Sequence, residues 1–244
     1  MPSRGDFMKI TLVILTLDEI DGVRALFPKL ADLSRLSVDE IIAVDGGSTD
    51  GTRECIEASG IRLCDQKSKG RGEAFRVAAQ VSDADFLIFF SPDGNEDWKD
   101  ISRFRKFFEQ GYNLVIASRM MEGAHNEEDD ELFRFRKWAN NVFNWLANQG
   151  FRRSGPYITD SINGFRGVKR SLVSELGIAE SGFTVEYQMT IRALASGERI
   201  VEFPTNEGPR IGGEIKARSI PTGLRFLRCL VAEILGSGKP GLRK

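Results

Sequence analysis

Residues 39–52, DEIIAVDGGSTDGT, contain the change of pattern that decides the fold of this chain. The apolar beginning predicts a strand that ends at Asp45, where two glycines break it. Residues 48–50, Ser-Thr-Asp, are candidate caps of a helix that begins near Thr49. The stretch therefore predicts a buried strand that turns directly into a helix, as expected in a sheet covered by helices.

Short apolar runs alternate with stretches of helical periodicity on both sides of this stretch. The apolar runs of strand length lie at residues 9–17, 39–46, 61–66, 85–92, 113–119 and 198–205. The helical patterns lie at residues 20–33, from about 49, at 73–80, 101–109, 132–148 and 185–197, and in a last helix from 220. Continuous apolar strands separated by helices predict an α/β fold with a mainly parallel sheet covered on both faces.

The carboxyl ends of parallel strands are where α/β sheets bind their ligands. The polar residues at those predicted ends are Asp18, Glu19, Asp45, Asp93 and Arg119. Two interpretations of Asp45 remain open: a carboxylate that contacts a nucleobase or ribose, and an ordinary turn that caps a helix. The G-x-G-x-x-G and P-loop patterns are absent, which argues against a dinucleotide cofactor and against ATP hydrolysis.

Length and composition predict one large domain, or one domain with a smaller appendage. The chain has 244 residues, 41% of them hydrophobic, and its 34 Lys and Arg balance 35 Asp and Glu. The net charge of −1 gives no overall field that would favour nucleic acid as a partner. Residues 199–244 are locally basic, with nine basic and four acidic residues.

Cysteine and histidine usage argues against a zinc site. Cys55, Cys64 and Cys229 lack the C-x-x-C spacing, and His125 is the single histidine. Reduced thiols fit a cytoplasmic protein best. The N-terminal apolar run ITLVILTL leads straight into Asp18, so it predicts a strand rather than a signal peptide, and no run approaches transmembrane length.

A cluster of oxygen ligands follows an apolar run in FLIFFSPDGNEDW, residues 86–98. Asp93 and Asn95 lie two residues apart beyond the predicted strand and can present two oxygens to one hard cation that also binds diphosphate. Glu96 and Asp97 are either further ligands or caps of the following helix. The pattern predicts a Mg²⁺ or Mn²⁺ site at this strand end.

Several motifs, in order along nearly the whole chain, resemble the family 2 glycosyltransferases of GT-A fold, and among them the dolichyl- and polyprenyl-phosphate mannosyl- and glucosyltransferases. The motifs are TLDE, VDGGSTDGT, KGRGEAFRVAA, FFSPDGNED, ASRM, DSINGFRGVKR, GFTVEYQMTIRA and PRIGGEIKA. The resemblance implies a Rossmann-like, mixed and mainly parallel sheet flanked by helices, with C-terminal helices on the acceptor side. It also implies a single domain over residues 1–244, with a nucleotide-sugar-binding half at about 8–120 and an acceptor-side half at about 121–244.

The resemblance implies that Asp93 and Asn95 hold the metal, because they match the second aspartate and the last position of the family's Asp-x-Asp-x-Gln/Asn motif. Ser91 stands where the first aspartate is usual, so this chain departs from the motif. A neutral hydroxyl is a poorer ligand for a hard cation than a carboxylate. Glu96 or Asp97 would have to compensate.

The resemblance also implies roles for further residues, because they occupy functional positions of the matched motifs. Those implied to bind the nucleotide sugar are Leu17, Glu19, Asp45, Gly47, Lys69, Ser91, Asp93, Arg210 and Lys216. Those implied in catalysis or near the acceptor are Asp93, Arg119, Arg136 and Glu186. The loop GPRIGGEIKA, residues 208–217, resembles the family's Arg-x-x-Gly-x-Ser-Lys loop over the active site, with Ile215 in place of Ser. A solvated helix face for Arg136 and an ordinary amphipathic helix around Glu186 remain the alternatives.

The resemblance implies a metal-dependent, inverting hexosyltransferase that uses GDP- or UDP-hexose, a polyprenyl phosphate acceptor and Mg²⁺ or Mn²⁺ as the cofactor. A phosphate monoester is already anionic and needs no strong general base. Two alternatives remain open. One is a soluble glycosyltransferase that acts on a hydroxyl group, with Glu186 as the base, and the other is a catalytically silent nucleotide-sugar-binding protein.

The last predicted helix, in IPTGLRFLRCLVAEILGSGKP at residues 220–240, combines an apolar stripe with basic residues. The stripe comprises Leu224, Leu227, Leu230, Val231, Ile234 and Leu235. Such a helix lies either on an anionic membrane surface or against the domain. With a lipid acceptor, we expect peripheral contact with the cytoplasmic membrane face through Arg225, Arg228, Lys239, Arg243 and Lys244.

Overall fold

The helices and strands follow the predicted alternation in a computed structural model that describes residues 8–30, 36–126, 135–211 and 219–236. The strands are β1 (Ile10–Thr16), β2 (Glu40–Asp45), β3 (Arg62–Asp65), β4 (Phe86–Phe90), β5 (Leu114–Ser118), β6 (Arg166–Lys169) and β7 (Ile200–Pro204). The α-helices are α1 (Ile20–Leu26), α2 (Thr52–Ala58), α3 (Arg71–Val81), α4 (Phe104–Glu109), α5 (Phe135–Phe151), α6 (Arg170–Glu175), α7 (Val185–Ser196) and α8 (Ser219–Ile234). The segments Phe27–Lys29 and Trp98–Arg103 form 3₁₀ helices.

The seven strands form one sheet in the order β3-β2-β1-β4-β6-β5-β7. Strands β3, β2, β1 and β4 run parallel to one another, and β5 runs parallel to β7. Strand β6 is antiparallel to both β4 and β5. The predicted mixed, mainly parallel sheet flanked by helices is therefore confirmed.

The register of the parallel strands brings their carboxyl ends to one edge. Thr16 at the end of β1 pairs with Asp45 at the end of β2, and Ile14 pairs with Phe90 at the end of β4. Because all three strands stop near the same line, the loops that follow them meet above one edge of the sheet. This edge carries the site described below.

Both faces of the sheet are buried, which explains the continuous apolar strands. Val13 and Leu15 pack on one face, in a cluster with Phe75 of α3 and Tyr187 of α7. The intervening residues of β1 pack on the other face, against helices α1 and α4. Each fully buried side chain of this size stabilises the fold by about 1.5–3 kcal/mol.

Strand β6 does not appear in the predicted pattern because it is short and begins with a charged residue. Arg166 is nevertheless fully buried. Its guanidinium donates to the backbone oxygens of Asn163 and Glu186 and to the hydroxyl of Thr190, and burial lowers its pKa to about 10. A buried arginine needs such a complete set of acceptors.

Within the described residues, no helix is both long enough and apolar enough to cross a bilayer.

Candidate functional site

The loops after β1 and β2 are held together by reciprocal hydrogen bonds. The backbone N–H of Asp18 donates to Ser48 Oγ at 2.8 Å, and that of Thr49 donates to Asp18 Oδ1 at 2.8 Å. The N–H of Glu19 donates to Thr52 Oγ1 at 3.0 Å. Asp18 has φ of 49°, a conformation that aspartate tolerates better than most residues. These hydrogen bonds therefore hold the two loops together.

Asp45, the last residue of β2, accepts the hydrogen bonds that stabilise the turn after this strand. Its carboxylate is only 1% exposed and accepts the backbone N–H groups of Gly47 and Ser48, both at 2.8 Å. The hydroxyls of Thr16 and Ser48 and the guanidinium of Arg53 also donate to it. Burial alone would raise the pKa of Asp45, but the hydrogen bonds from Ser48 and its neighbours lower it. The predicted contact of Asp45 with a nucleobase stays a prediction.

The loop after β4 packs against the loop that follows β7. The backbone N–H of Ile211 donates to the carbonyl of Asp93 at 2.7 Å, and that of Gly208 donates to the carbonyl of Asn95 at 2.8 Å. Gly94 has φ of +87°, and a Cβ at this position would lie 2.6 Å from the side chain of Ile211. The contact leaves room only for glycine.

Arg210 connects the two loop systems across the site. Its Nη2 lies 3.2 Å from Glu19 Oε1, and its Nη1 lies 3.0 Å from Asp93 Oδ2. Its Nε is buried and has no hydrogen-bond partner among the described residues. The guanidinium therefore keeps donor capacity at the point where the loops after β1, β4 and β7 meet.

A cavity of about 520 Å³ lies at this meeting point. Six of the predicted donor-site residues line it: Leu17, Glu19, Lys69, Ser91, Asp93 and Arg210. The charged lining residues are the cations Lys69, Arg71, Arg210 and Arg225 and the carboxylates Glu19 and Asp93. Positive charge therefore exceeds negative charge in the wall, which favours an anionic ligand such as a phosphate ester.

Arg71 is a cation of the cavity wall that is held by a buried carboxylate. Its Nε forms an ion pair with Glu186, whose side chain is 3% exposed, and its Nη1 lies 3.4 Å from Ser91 Oγ. Gly164 makes room for the guanidinium, because a Cβ there would lie 2.0 Å from Nη2. Burial would lower the pKa of Arg71, but the charge and hydrogen bond of Glu186, together with the charges of Glu96 and Asp93, raise it. Arg71 is therefore a fixed positive charge beside Ser91.

Glu96 lies beside position 91. Its Oε2 accepts the backbone N–H of Ser91 at 2.8 Å, and its compensation for the missing carboxylate stays a prediction. Burial, followed by the nearby charge of Asp93, raises the pKa of Glu96 to about 8. Asp97 caps the following 3₁₀ helix by accepting the N–H of Lys99 at 3.1 Å.

The described residues do not complete a divalent metal site. Asp93 and Asn95, the predicted ligands, lie in one loop, but Asp93 Oδ2 is engaged by Arg210 and the hydroxyl of Ser91 faces Arg71. No group of three or more His, Cys, Asp or Glu in the described ranges could hold a metal ion. A hard cation prefers several oxygen ligands without a competing cation among them.

Arg119 and Glu186 form ion pairs with partners of opposite charge. Arg119 Nε and Nη2 form a two-pronged ion pair with Asp160 at 2.7 and 3.0 Å, and Nη1 lies 3.2 Å from Glu207. Burial would lower the pKa of Arg119, but the charges of Asp160 and Glu207 raise it. Glu186 holds Arg71. Predicted roles of Arg119 and Glu186 in contact with substrate stay predictions.

Two predicted residues lie beyond what the structure describes. The backbone of Arg136 belongs to α5, but its side chain is outside the described part, and Lys216 is outside the described residues. Gly47 is described, with φ of +94° beside the cavity residue Gly46.

Sequence reasoning missed Arg71 and the partners of Arg119. It predicted membrane contact for Arg225 but not that Arg225 lines the cavity. Arg71 lies in the motif KGRGEAFRVAA, from which only Lys69 was singled out. Glycines on both sides of Arg71 were the available signal, because a Cβ at Gly70 or Gly72 would lie 2.1 or 1.9 Å from a backbone oxygen of the neighbouring segment. Such close packing fixes the start of α3 and with it the position of Arg71.

Comparisons with known proteins agree with the geometry. The family model described as glycosyl transferase family 2 matches residues 11–177. The glycosyltransferase AglJ of Haloferax volcanii is 28% identical over 71% of this chain and 55% of its own length. A dolichyl-phosphate hexose transferase of the same organism is 26% identical over 84% of this chain and 86% of its own length. The chain thus spans little more than half of the first relative and most of the second.

Solved structures of glucosyl-3-phosphoglycerate synthase from Mycobacterium tuberculosis share the fold. The complex with phosphoglyceric acid has a TM-score of 0.67, with 22% identity over 95% of this chain and 80% of that chain. The complex with Mn²⁺ and uridine-diphosphate-glucose has a TM-score of 0.64, with 22% identity over 95% of this chain and 79% of that chain. At this identity the likeness concerns the GT-A fold alone.

Proposed function

Because the chain belongs to glycosyl transferase family 2, we propose that this glycosyltransferase moves a hexose from a GDP- or UDP-hexose to a polyprenyl phosphate, with inversion at the anomeric carbon. One observation carries the proposal: the cavity at the carboxyl ends of β1 and β4 has a wall in which cations outnumber carboxylates. A cavity of about 520 Å³ also has the size of a small-molecule site. A nucleoside diphosphate sugar is an anionic ligand of suitable size.

The proposed reaction needs charge neutralisation more than proton transfer. A phosphate oxygen of the acceptor forms a bond to the anomeric carbon, and the bond from that carbon to the β-phosphate oxygen breaks. The nucleoside diphosphate leaves with the electron pair, and fixed cations at that oxygen stabilise the transition state. Lys69 and Arg210 line the cavity and are suited to this role. An anionic acceptor phosphate needs no base.

The remaining predicted residues have two kinds of role in this proposal. Leu17 and Glu19 would contact the donor directly, because they line the cavity. Asp45 and Gly47 would shape the nucleotide-binding turn, and Glu186 would position Arg71. Arg119 ties the end of β5 to Glu207, which precedes the loop that carries Arg210.

The dependence on Mg²⁺ or Mn²⁺ predicted from the sequence would rest on Asp93 and Asn95. Asp93 would supply its carboxylate, with Asn95 beside it, and the metal would add positive charge at the diphosphate. Arg210 would have to release Asp93 first, because it now occupies Oδ2 of that carboxylate.

A lipid acceptor is supported by two apolar stripes on adjacent helices. Trp138, Val142 and Trp145 of α5 are 64%, 36% and 53% exposed. On α8 and the turn after it, the exposed apolar residues are Leu224, Leu227, Val231, Ile234 and Leu235. The two helices pack through Phe143 and Phe226, whose ring centroids lie 5.3 Å apart. Exposed apolar surface of this extent marks an interaction site, and interfacial tryptophans suit a membrane surface.

The same helix α8 contributes to the cavity and to the exposed stripe. Arg225 lines the cavity, and it and its neighbour Leu224 are both exposed. A phosphate on a membrane-anchored lipid would therefore reach the cavity from the surface that the stripe covers. The name of the dolichyl-phosphate hexose transferase among the relatives agrees with such an acceptor.

The test is a transfer assay with labelled UDP-glucose and GDP-mannose and with undecaprenyl or dolichyl phosphate in detergent. We expect labelled lipid from one of the donors. Asp93→Ala should lower the rate by about 100-fold, because it removes both the predicted metal ligand and the carboxylate that holds Arg210 at the cavity, and so weakens the positive charge at the leaving diphosphate. Asp97→Ala is the matched control, because Asp97 caps a helix in the same loop and should leave the rate within a few-fold.

Transfer only to water-soluble hydroxyl acceptors would replace the lipid phosphate by the soluble-acceptor alternative. Binding of a nucleotide sugar without any transfer would indicate a silent binding protein. Equal rates for wild type and Asp93→Ala would remove Asp93 from the site.

A further inference from the structure

We infer that the guanidinium of Arg71 supplies part of the positive charge that a divalent cation supplies to the diphosphate in the family. This chain therefore binds a nucleoside diphosphate in the absence of metal. The inference rests on the proposed function. It starts from the incomplete metal site, in which a serine replaces a carboxylate and a guanidinium lies 3.4 Å from that serine.

The charges around position 91 differ from those of a metal site with two carboxylates. A pair of carboxylates repels a diphosphate until a cation is bound between them. In this chain position 91 is neutral, and the carboxylate of Asp93 is already paired with Arg210 at 3.0 Å. The diphosphate therefore meets no uncompensated negative charge from either residue.

Arg71 is held in place before any ligand arrives. Its ion pair with Glu186 fixes the guanidinium from one side, and Gly164 leaves room for it on the other. The side chain is 19% exposed and lines the cavity next to Ser91. A fixed, mostly desolvated guanidinium binds phosphate oxygens without the cost of ordering a flexible side chain.

An aspartate at position 91 would cancel this arrangement. A carboxylate placed where Ser91 Oγ lies, within 3.4 Å of Arg71 Nη1, would form an ion pair with it. Arg71 would then be shared between two carboxylates and would no longer offer its charge to a ligand. The positive charge of Arg71 is therefore available to a phosphate only while the residue at position 91 is neutral.

The test is calorimetric titration of the purified chain with UDP and with GDP, in excess EDTA and in excess Mn²⁺. For the nucleotide that binds, we expect the Kd in EDTA to lie within about tenfold of the Kd in Mn²⁺. Ser91→Asp should weaken binding in EDTA by at least about tenfold and should recover it when Mn²⁺ is added. Ser174→Asp, which adds the same charge to an exposed position of α6, is the matched control and should bind as the wild type does.

Removing Arg71 alone leaves Glu186 buried without its partner and can unfold the chain. The double variant Arg71→Gln/Glu186→Gln removes both charges together and should lose at least about tenfold in affinity in EDTA. Arg76→Gln on the same helix is its control, because Arg76 pairs with Glu73 and does not line the cavity. Circular dichroism confirms that each variant is folded.

The outcomes separate this inference from the proposed function. Binding of UDP or GDP only with Mn²⁺ would overturn the role of Arg71 and leave the proposed function standing. Metal-free binding that survives both Ser91→Asp and the double variant would also overturn it. Binding in neither condition would overturn the inference and the proposed function together.

Discussion

Asp45 stabilises its turn through charge-assisted hydrogen bonds that an amide cannot reproduce. In Asp45→Asn the amide oxygen can keep the N–H donors of Gly47 and Ser48. The new NH₂ group would then face the hydroxyls of Thr16 and Ser48, which now donate to the other carboxylate oxygen. We expect the free energy of unfolding at pH 7 to fall by about 1–3 kcal/mol, the cost of a buried unsatisfied polar group. Urea unfolding followed by circular dichroism measures this change.

The pH dependence of that change follows from the lowered pKa of Asp45. The stabilisation is fully present above the ordinary pKa of 3.8 and is lost as the pH falls towards the lower pKa in the fold. The difference between wild type and Asp45→Asn should therefore shrink below about pH 4. Asp65→Asn is the control, because Asp65 pairs with the same Arg53 but has a side chain that is 69% exposed. A comparable loss in Asp65→Asn would assign the effect to Arg53 instead.

Single residues also show where sequence reasoning ends. Glu19, Asp93 and Arg210 were predicted from motifs, and the structure brings them within one network of ion pairs. Arg71 was missed because its partner Glu186 lies 115 residues away in the chain. Local patterns carry no information on such a pairing, so a buried cation looks like any arginine at the start of an amphipathic helix.

At the scale of elements, the contact between the loops after β4 and β7 positions Arg210. An alanine at Gly94 would both strain a backbone with φ of +87° and push the side chain of Ile211 away. Because Arg210 precedes Ile211, we expect Gly94→Ala to raise the Kd for the nucleoside diphosphate by about tenfold, or about 1.4 kcal/mol. Calorimetric titration measures it.

Gly123→Ala separates the contact from the backbone strain. Gly123 has φ of +81°, and no atom lies within 4 Å of a Cβ built there. Both variants should lose about 1 kcal/mol of stability because a residue with a Cβ is strained in the left-handed backbone conformation. Only Gly94→Ala should weaken the binding of the nucleoside diphosphate. Equal Kd values in the two variants would mean that the contact between Gly94 and Ile211 does not determine the position of Arg210.

The elements themselves differ in how much of them the sequence predicts. Long apolar runs and helical periods located β1, β2, β4 and α3, because burial on both faces leaves a strong pattern. The four-residue strand β6 was missed, since its buried Arg166 is stabilised by acceptors on α7 and not by any local pattern. Helix α2 begins at Thr52 and not near Thr49, because the preceding residues bond to the loop after β1.

For the whole molecule, the sequence predicted the sheet but could not place the last helix. The apolar residues of α8 lie on two faces, one buried and one exposed. Phe226, Cys229 and Leu230 are buried against the domain, and the other predicted apolar residues are exposed. The helix therefore packs against the domain through one face, and contact of its exposed face with a membrane stays a prediction.

We expect the exposed face to bind anionic vesicles weakly, and more weakly in high salt, because apolar burial and attraction of basic residues act together. Flotation with vesicles that contain phosphatidylglycerol measures the binding, and burial of Trp138 and Trp145 should shift the tryptophan emission to shorter wavelength. The variant Leu227→Glu/Ile234→Glu should lose binding. Tyr157→Glu, an exposed aromatic residue outside both stripes, is the control.

Neutralising the basic residues of the C-terminal region separates the two forces. Arg228→Gln should reduce flotation at low salt and have little effect at high salt, where the charges are screened. Lys239, Arg243 and Lys244, predicted to act with it, lie outside the described residues. Arg225 is left unchanged, because it lines the cavity and its loss would confound binding with catalysis. If the wild type fails to float at low salt and also transfers sugar to a water-soluble acceptor, the exposed stripes serve a protein partner and the acceptor is not a lipid phosphate.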